Sequence, residues 1–182
     1  MKTEIGAVNA LPTIITLVGA NVNQKPNYVT IAWVGVIGTK YILICVNKQR
    51  YTNSGIKKNK TFSVNLPSED LVKETDYCGI KSGKDTDKAA LFNTFYGKLK
   101  TAPMIKECPV NMECKLTKTI DTPTHDVFIG EIVSTYCDAS LLKEDNIYLG
   151  NVQPILFSMT DKGYWKLGER LANAWEIGKD LK

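Results

Sequence analysis

The clearest alternation of apolar and polar residues lies in residues 126–136, where Val127, Ile129 and Val133 fall on alternate positions. A period of two predicts a strand with one buried face. Residues 110–120 alternate more weakly. The other predicted strands are short runs rich in β-branched and aromatic residues, which favour a pleated, half-buried surface. These runs are residues 13–19, 28–37, 41–47, 61–66 and 155–159.

Polar clusters with glycine or proline separate these runs and predict turns at residues 21–27, 38–40, 122–124 and 161–163. Helical features are fewer. We expect a short helix or turn over residues 53–59, and a helix that starts near Pro67 and continues to Thr75. A second helix is expected over residues 87–95. The chain end, residues 165–182, carries apolar residues near helical spacing at Leu167, Leu171, Trp175 and Ile177.

Many short strands with turn signals, together with two or three helices, predict a mainly β fold: a closed antiparallel barrel with a few helices. The chain lacks the Gly-x-Gly-x-x-Gly fingerprint, which argues against a Rossmann domain. It also shows no repeat, low-complexity tract or linker. At 182 residues, it is therefore expected to form a single domain over residues 1–182.

The net charge is +4, and the lysines are scattered rather than clustered in a stripe. This pattern does not favour nucleic-acid binding, although it suits a phosphorylated ligand. The five cysteines include no Cys-x-x-Cys pair, so we expect reduced, mostly buried thiols and no metal site. We find no signal peptide and no apolar run of membrane-spanning length, and we expect a cytoplasmic protein without membrane association.

The stretch from Tyr77 to Lys88 holds two glycines, one serine, one threonine and three lysines in twelve positions. Such a loop before a helix can offer N–H, hydroxyl and ammonium groups to a phosphate. Its spacing is one residue short of a Walker A loop, and Asp85 replaces the required Ser or Thr. The alternative is a solvated, lysine-rich loop that caps a helix. Arg50, Tyr51 and Thr52 follow a strand and could add a guanidinium to the same phosphate, or simply lie at the surface.

A flat ring would fit the segment Thr30, Ile31, Ala32, Trp33, Val34 and Gly35, because its small residues let a ring approach the backbone. The alternative is an ordinary core strand. His125 is the only histidine; it could orient a substrate near a redox centre or serve as a structural residue. Without a Ser–His–Asp order or paired carboxylates, a bound cofactor would have to carry the chemistry.

Taken together, these residues resemble the flavin reductase-like family of FMN-binding split barrels, and within it the flavoredoxin branch. The resemblance covers nearly the whole chain in family order. The segments that carry it are residues 26–35, 50–52 with Ile56, 62–67, 76–79, Ser82-Gly83, Asp87-Lys88, Cys108-Pro109, 112–114, His125, 128–132, 163–165 and Leu167-Gly168.

The resemblance implies a homodimer that binds FMN non-covalently near its subunit interface. Its implied ring contacts are Thr30, Ile31, Ala32 and Trp33, with Asn65 and Leu66 at the ring or ribityl chain. Arg50, Tyr51 and Thr52 would approach the phosphate and ribityl chain, and Ser82 and Lys88 would complete the anion site, within the loop that also holds Cys78, Gly79 and Gly83. His125 matches the histidine near the redox face. Tyr164 and Trp165 would cover the ring, from this subunit or its partner.

Many relatives that use free flavin as a substrate carry a serine-rich segment where this chain has residues 30–38. Many also have a Pro-Pro pair where this chain has Lys40-Tyr41. Both differences favour tightly held FMN. The implied function is an FMN-dependent oxidoreductase that takes electrons from NAD(P)H or from a reduced iron–sulfur or other redox protein. The alternatives are a non-enzymatic FMN electron carrier, a flavin-binding module without turnover, or a binding protein for another phosphorylated ligand. Whether Cys78 is more than a packed side chain stays open.

Overall fold

The computed structural model describes residues 1–179 and 181, and most of its regular structure is β-strand. The strands are β1 (Thr13–Ile14), β2 (Thr16–Val22), β3 (Lys25–Ile31), β4 (Val34–Val36), β5 (Tyr41–Asn47), β6 (Thr61–Leu66), β7 (Thr94–Phe95), β8 (Met104–Ile105), β9 (Val110–Asp121), β10 (His125–Cys137), β11 (Leu142–Lys143), β12 (Asn146–Ile147), β13 (Ile155–Ser158) and β14 (Gly163–Lys166). The helices are α1 (Tyr51–Asn59), α2 (Val72–Ile80) and the single turn α3 (Leu149–Val152).

Seven strands form one antiparallel sheet in the order β3-β2-β6-β9-β10-β5-β4. Its two edge strands, β3 and β4, are consecutive in the chain and are joined only by Ala32 and Trp33. The sheet must therefore curl until its edges meet, and β3 also contacts β5. This curled sheet confirms the predicted split-barrel fold. A second small sheet, in the order β1-β13-β14, lies beside this junction.

The interior of the curled sheet is a single apolar cluster around Val18, Phe62 and Phe128, closed by Ile56 of α1. Gly130 of β10 is required here, because a Cβ at that position would lie 2.5 Å from the Phe62 ring. A separate cluster packs α2 on the outside of β2 and β3. Its buried members are Leu17, Tyr28, Cys78, Phe92, Ile105 and Cys108.

The strand predictions are close to the structure, and residues 41–47 and 61–66 match it at both ends. The predicted turn at residues 21–27 is shorter: only Asn23 and Gln24 turn, both with positive φ, as a two-residue hairpin requires. Pro26 belongs to β3, where an edge strand tolerates it. The predicted strand over residues 28–37 breaks at Ala32 and Trp33.

The helix predictions needed more correction. Helix α1 begins at Tyr51, and α2 continues to Ile80, through Tyr77, Cys78 and Gly79, which we had placed in the loop. The helix predicted over residues 87–95 is wrong: only a 3₁₀ turn, Lys88–Leu91, and the short strand β7 form there. The described residues after Lys166 contain turns but no helix, although apolar residues lie near helical spacing there; Asp180 and Lys182 lie outside the described residues.

None of the helices in the described residues is both long and apolar enough to cross a membrane. Within the same residues, no group of three or more His, Cys, Asp and Glu side chains could hold a metal ion.

Candidate functional site

A cleft opens where the two edges of the curled sheet meet. Its first compartment has a volume of about 360 Å³ and surrounds the break between β3 and β4. The lining residues come from five strands, the junctions between elements and the end of α2. They are Ile15, Thr30, Ile31, Ala32, Trp33, Cys45, Asn47, Arg50, Gly79, His125, Phe157 and Tyr164. We call this compartment the ring compartment, because its aromatic lining suits a flat ligand.

Two aromatic pairs form part of this lining. The Trp33 and His125 rings meet edge to face, with centroids 4.9 Å apart. On the hairpin of β13 and β14, Phe157 and Tyr164 are cross-strand neighbours with ring centroids 5.8 Å apart. Aromatic faces at such a cleft favour a planar, conjugated ligand.

His125 is the first residue of β10 and pairs across the sheet with Asn47 of β5, so both side chains reach the ring compartment. The preceding turn holds it in place: the Thr122 hydroxyl donates to the His125 carbonyl oxygen at 2.7 Å. Its Nδ1 lies 2.8 Å from the Thr124 hydroxyl. Nε2 has no hydrogen-bond partner among residues 1–179 and 181, and it is therefore the nitrogen available to a ligand.

The backbone at the break in the sheet also has free donors. The Ala32 carbonyl accepts from Val34 at 3.1 Å, and the Trp33 carbonyl accepts from Cys45 at 2.9 Å. The N–H groups of Ala32 and Trp33 have no acceptor among the described residues. Unpaired main-chain donors beside a cleft are suited to the polar edge of a ligand ring.

A second compartment, of about 270 Å³, shares Asn47 and Arg50 with the first and continues the cleft. We call it the anion compartment. Its lining includes the cations Arg50, Lys81 and Lys88 and no carboxylate; the other lining residues are Val29, Asn47, Gln49, Tyr51, Thr52, Ser82 and Gly83. The first residues of α1 also line it, so the positive end of that helix dipole contributes. The sequence predicts that a helix after the loop supplies this dipole; in the structure only a 3₁₀ turn follows the loop, and α1 supplies the dipole.

Arg50 stands at the junction of the two compartments. Its guanidinium donates to the Gly79 carbonyl oxygen at 2.7 Å and thus connects the start of α1 to the end of α2. The side chain is exposed and uses one of its five N–H donors in this bond, which leaves donors for an anion.

The loop after α2 approaches the sheet very closely at Gly83. A Cβ there would lie 2.1 Å from Asn27 Oδ1 and 2.8 Å from the Tyr51 ring, so this position requires glycine. Asn27 also donates to the Thr52 hydroxyl at 2.6 Å. These contacts fix Ser82, Gly83, Tyr51 and Thr52 around one compartment.

Lys88 is only 3% exposed, unlike an ordinary surface lysine. Its ammonium donates to the carbonyl oxygens of Cys78 and Lys81, both at 3.1 Å. Burial lowers the pKa of Lys88, and the nearby Arg50 charge lowers it further, partly offset by Cys78. Lys88 therefore forms part of the buried wall of the anion compartment, and its ammonium also caps the carbonyl end of α2.

Of the two predicted ring-covering aromatics, one reaches the cleft. Tyr164 lines the ring compartment, and its hydroxyl donates to Asp76 Oδ1 of α2 at 2.8 Å. Burial, with the Asp76 carboxylate, raises the pKa of Tyr164 to about 12, so the phenol stays protonated at neutral pH. Trp165 is the next residue of the strand and lies on its opposite face, 58% exposed. In this chain it does not line the cleft.

Three further predicted site residues also lie away from the cleft. Asn65 is fully buried, and both ends of its amide are occupied: it donates to Leu17 O at 2.8 Å and accepts from Ile105 N at 3.1 Å. Leu66 packs against an apolar cluster with Val110. The Cys78 thiol lies in the core beneath α2, where burial raises its pKa to about 11. For the side chains of these three residues, the structure favours structural roles.

Several lining residues were not named as site residues in the sequence analysis, among them Asn47 and Phe157. Both lie on predicted strands, and the hairpin turn predicted at residues 161–163 places Phe157 across from Tyr164. Pairing the strands through that turn would have found Phe157. Asn47 could be found only by knowing that β5 lies beside β10.

Comparisons of the sequence and of the structure with known proteins point to the same family. A model of the flavin reductase like domain matches residues 8–159. The crystal structure of flavoredoxin from Methanosarcina acetivorans is 41% identical with a TM-score of 0.94, and the alignment covers 100% of this chain and 98% of that one. Flavoredoxin of Desulfovibrio vulgaris (Miyazaki F) is 33% identical with a TM-score of 0.92, covering 98% and 100%. A ferric-chelate reductase (NAD(P)H) from Archaeoglobus fulgidus is 26% identical over 107 residues, 58% of this chain and 61% of that protein.

Proposed function

Because the chain belongs to the flavin reductase-like family, we propose that it binds FMN non-covalently in this cleft and acts as an FMN-dependent redox protein of the flavoredoxin type. The observation that carries the proposal is the continuity of the two compartments at Arg50. One compartment is aromatic, and the next is cationic without a lining carboxylate. A flat ring joined to a phosphate has this polarity.

The donor set fits each part of FMN. Arg50, Ser82, Gly83 and the first turn of α1 would hold the phosphate, with Tyr51 and Thr52 beside the ribityl chain. The segment from Thr30 to Trp33 would line the isoalloxazine, with the Ala32 and Trp33 N–H groups available to its pyrimidine edge. His125 would face the redox part of the ring, and Tyr164 with Phe157 would lie over it. When bound, the flavin would accept a hydride or single electrons.

The electron donor is proposed to be NAD(P)H or a small reduced iron–sulfur protein, and the acceptor another flavin, iron or a protein. The similarity to a relative named ferric-chelate reductase (NAD(P)H) supports reduction by a nicotinamide nucleotide. The alternative is an electron carrier with the same site that nicotinamide nucleotides do not reduce. It is supported by the overall likeness to flavoredoxins.

We also propose that the chain works as a homodimer. Apolar side chains are exposed on and around the edge strand β4, next to the cleft: Trp33 is 38% exposed, Val36 81% and Ile37 46%. Leu171 and Trp175, near the chain end, are more than 90% exposed. Apolar exposure beside a site, as at Trp33 and β4, is typical of protein interfaces, and a second copy placed there would shield the cleft.

The test is an absorbance spectrum of the purified protein after incubation with FMN and desalting, followed by anaerobic addition of NADH or NADPH. We expect flavin bands that bleach at a saturable rate with one nucleotide. Bands that persist with both nucleotides and bleach only with dithionite would favour the electron carrier. A protein that retains no flavin would refute FMN binding.

A further inference from the structure

The carbonyl end of α2 is held by two cations. Lys88 Nζ binds the carbonyl oxygens of Cys78 and Lys81, and Arg50 binds that of Gly79 between them. Cations stabilise this end of a helix because the unpaired carbonyls carry its negative dipole. Arg50 is exposed, so its side chain can move towards a ligand. Lys88 is buried, so its side chain is held against these carbonyls.

The same helix reaches the ring compartment. One turn before its end, the Thr75 carbonyl accepts a hydrogen bond from the Thr30 hydroxyl, and Asp76 accepts from Tyr164. Gly79 packs against Thr30 so closely that an added Cβ would lie 3.3 Å from the Thr30 Cβ. A shift at the end of α2 would therefore move residues that line the ring compartment.

Lys88 also fixes the loop of the anion compartment. One carbonyl partner, Cys78, lies in the last turn of α2, and the other, Lys81, begins the segment of residues 81–88 that contains Ser82 and Gly83. The bonds therefore close that loop onto the end of the helix. No carboxylate among the described residues forms an ion pair with this ammonium. Main-chain carbonyls hold it, and two of its three N–H donors are used.

We propose that Lys88 is a positioning residue for the whole flavin, acting through the end of α2 and the loop of residues 81–88, and not a ligand of the phosphate alone. The inference rests on the proposed binding of FMN. It predicts that loss of Lys88 weakens the ring half of the site as well as the phosphate half.

Riboflavin separates these two roles, because it carries the ring and the ribityl chain but lacks the phosphate. We would measure dissociation constants for FMN and riboflavin by quenching of flavin fluorescence. In Lys88→Met, both affinities should fall by a similar factor of about ten, since two charge-assisted hydrogen bonds that order the site are lost. The matched control is Lys81→Met. Lys81 lines the same compartment, but its side chain is exposed and holds no carbonyl, so only the FMN affinity should fall, by about threefold.

Lys88→Arg keeps the charge and the donors, and it should recover most of the riboflavin affinity. If Lys88→Met does not fold, Lys88→Gln replaces it, because the amide can still donate to one carbonyl. A loss confined to FMN would make Lys88 a phosphate ligand, and unchanged affinity for both flavins would remove it from the site; either result overturns the inference. If the unsubstituted chain binds neither flavin, the proposed function fails, and the inference fails with it.

Discussion

Two buried charged side chains, Glu113 on β9 and Lys88 beside the cleft, differ in how completely hydrogen-bond partners balance their charge. Glu113 has no exposed surface, and three donors surround its carboxylate: the backbone N–H groups of Lys98 at 2.9 Å and Leu99 at 2.6 Å, and the Tyr136 hydroxyl at 2.8 Å. Lys88 has two carbonyl partners and faces a compartment that contains further cations.

The pKa shifts reflect this difference. Burial alone would raise the pKa of Glu113, but the bonds from Leu99, Lys98 and Tyr136 outweigh it and lower that pKa. For Lys88, burial is the largest effect, and its pKa falls because the charged form is poorly compensated. A buried charge with a full set of partners stabilises the fold, whereas the charge of Lys88 is balanced only in part by its two carbonyl partners.

The largest effect should come from Glu113→Ala. This change leaves two backbone donors and one phenol unpaired and releases the loop of residues 96–102, so the free energy of unfolding should fall by about 3 kcal/mol. Urea titration measures this value. Glu131→Ala is the matched control, because Glu131 lies on the adjacent strand and its carboxylate makes no hydrogen bond or ion pair among the described residues. Equal losses for both variants would contradict the assignment.

A smaller effect is expected from pH. Since the folded-state pKa of Glu113 is lowered, its contribution is fully present above the unfolded value of about 4.3 and is lost as pH falls through the folded value. Glu113→Gln should therefore cost about 1–2 kcal/mol at neutral pH, and its stability should converge with that of the unsubstituted chain in acid. Asp126, whose pKa is also lowered, keeps its own acid dependence in both proteins. Parallel pH profiles would show that the Glu113 charge contributes nothing.

The smallest effect on stability is expected for Lys88→Met without flavin. Removing a poorly compensated buried charge offsets the loss of two hydrogen bonds, so the free energy of unfolding should change by less than about 1 kcal/mol at neutral pH. At alkaline pH, the two proteins should also differ in how their stability changes with pH. Because the folded-state pKa of Lys88 is lowered, the unsubstituted chain should gain stability as pH rises from the folded towards the unfolded value, and Lys88→Met should lack this gain. If Lys88→Met lowered the free energy of unfolding as much as Glu113→Ala does, both charges would be stabilising parts of the fold, and the comparison would fail.

The strands were predictable because alternation and β-branched residues report directly on a half-buried sheet, as in β5 and β6. The helices were not. In residues 87–95 the local sequence allows a helix, but Phe92 is drawn into the core beneath α2. Around Tyr77 to Gly79, the lysine- and glycine-rich composition suggests a loop, yet Cys78 packs inward and the helix continues to Ile80.

In the site, too, features set by the local sequence were predictable, and features set by long-range packing were not. Arg50 and His125 were predictable from the sequence because each lies beside a strongly patterned segment, Arg50 after β5 and His125 at the start of β10. The family resemblance pointed to Asn65 as well, but its amide is used within the core, which depends on the long-range contacts of Ile105 and Leu17. That Lys88 is buried and bonded to carbonyls could not be inferred, because a lysine in a polar loop is ordinarily exposed.

The break at Ala32 and Trp33 joins β3 and β4, the two edge strands of the curled sheet, which do not pair with each other and leave a seam. A flavin in the cleft would span this seam, so part of what holds the barrel shut would come from outside the polypeptide. Its melting temperature would then depend on the supply of cofactor, because a ligand that binds only the folded state adds to stability with its concentration. Under the proposed function, a shortage of flavin would therefore lower the amount of folded chain as well as the amount of bound cofactor.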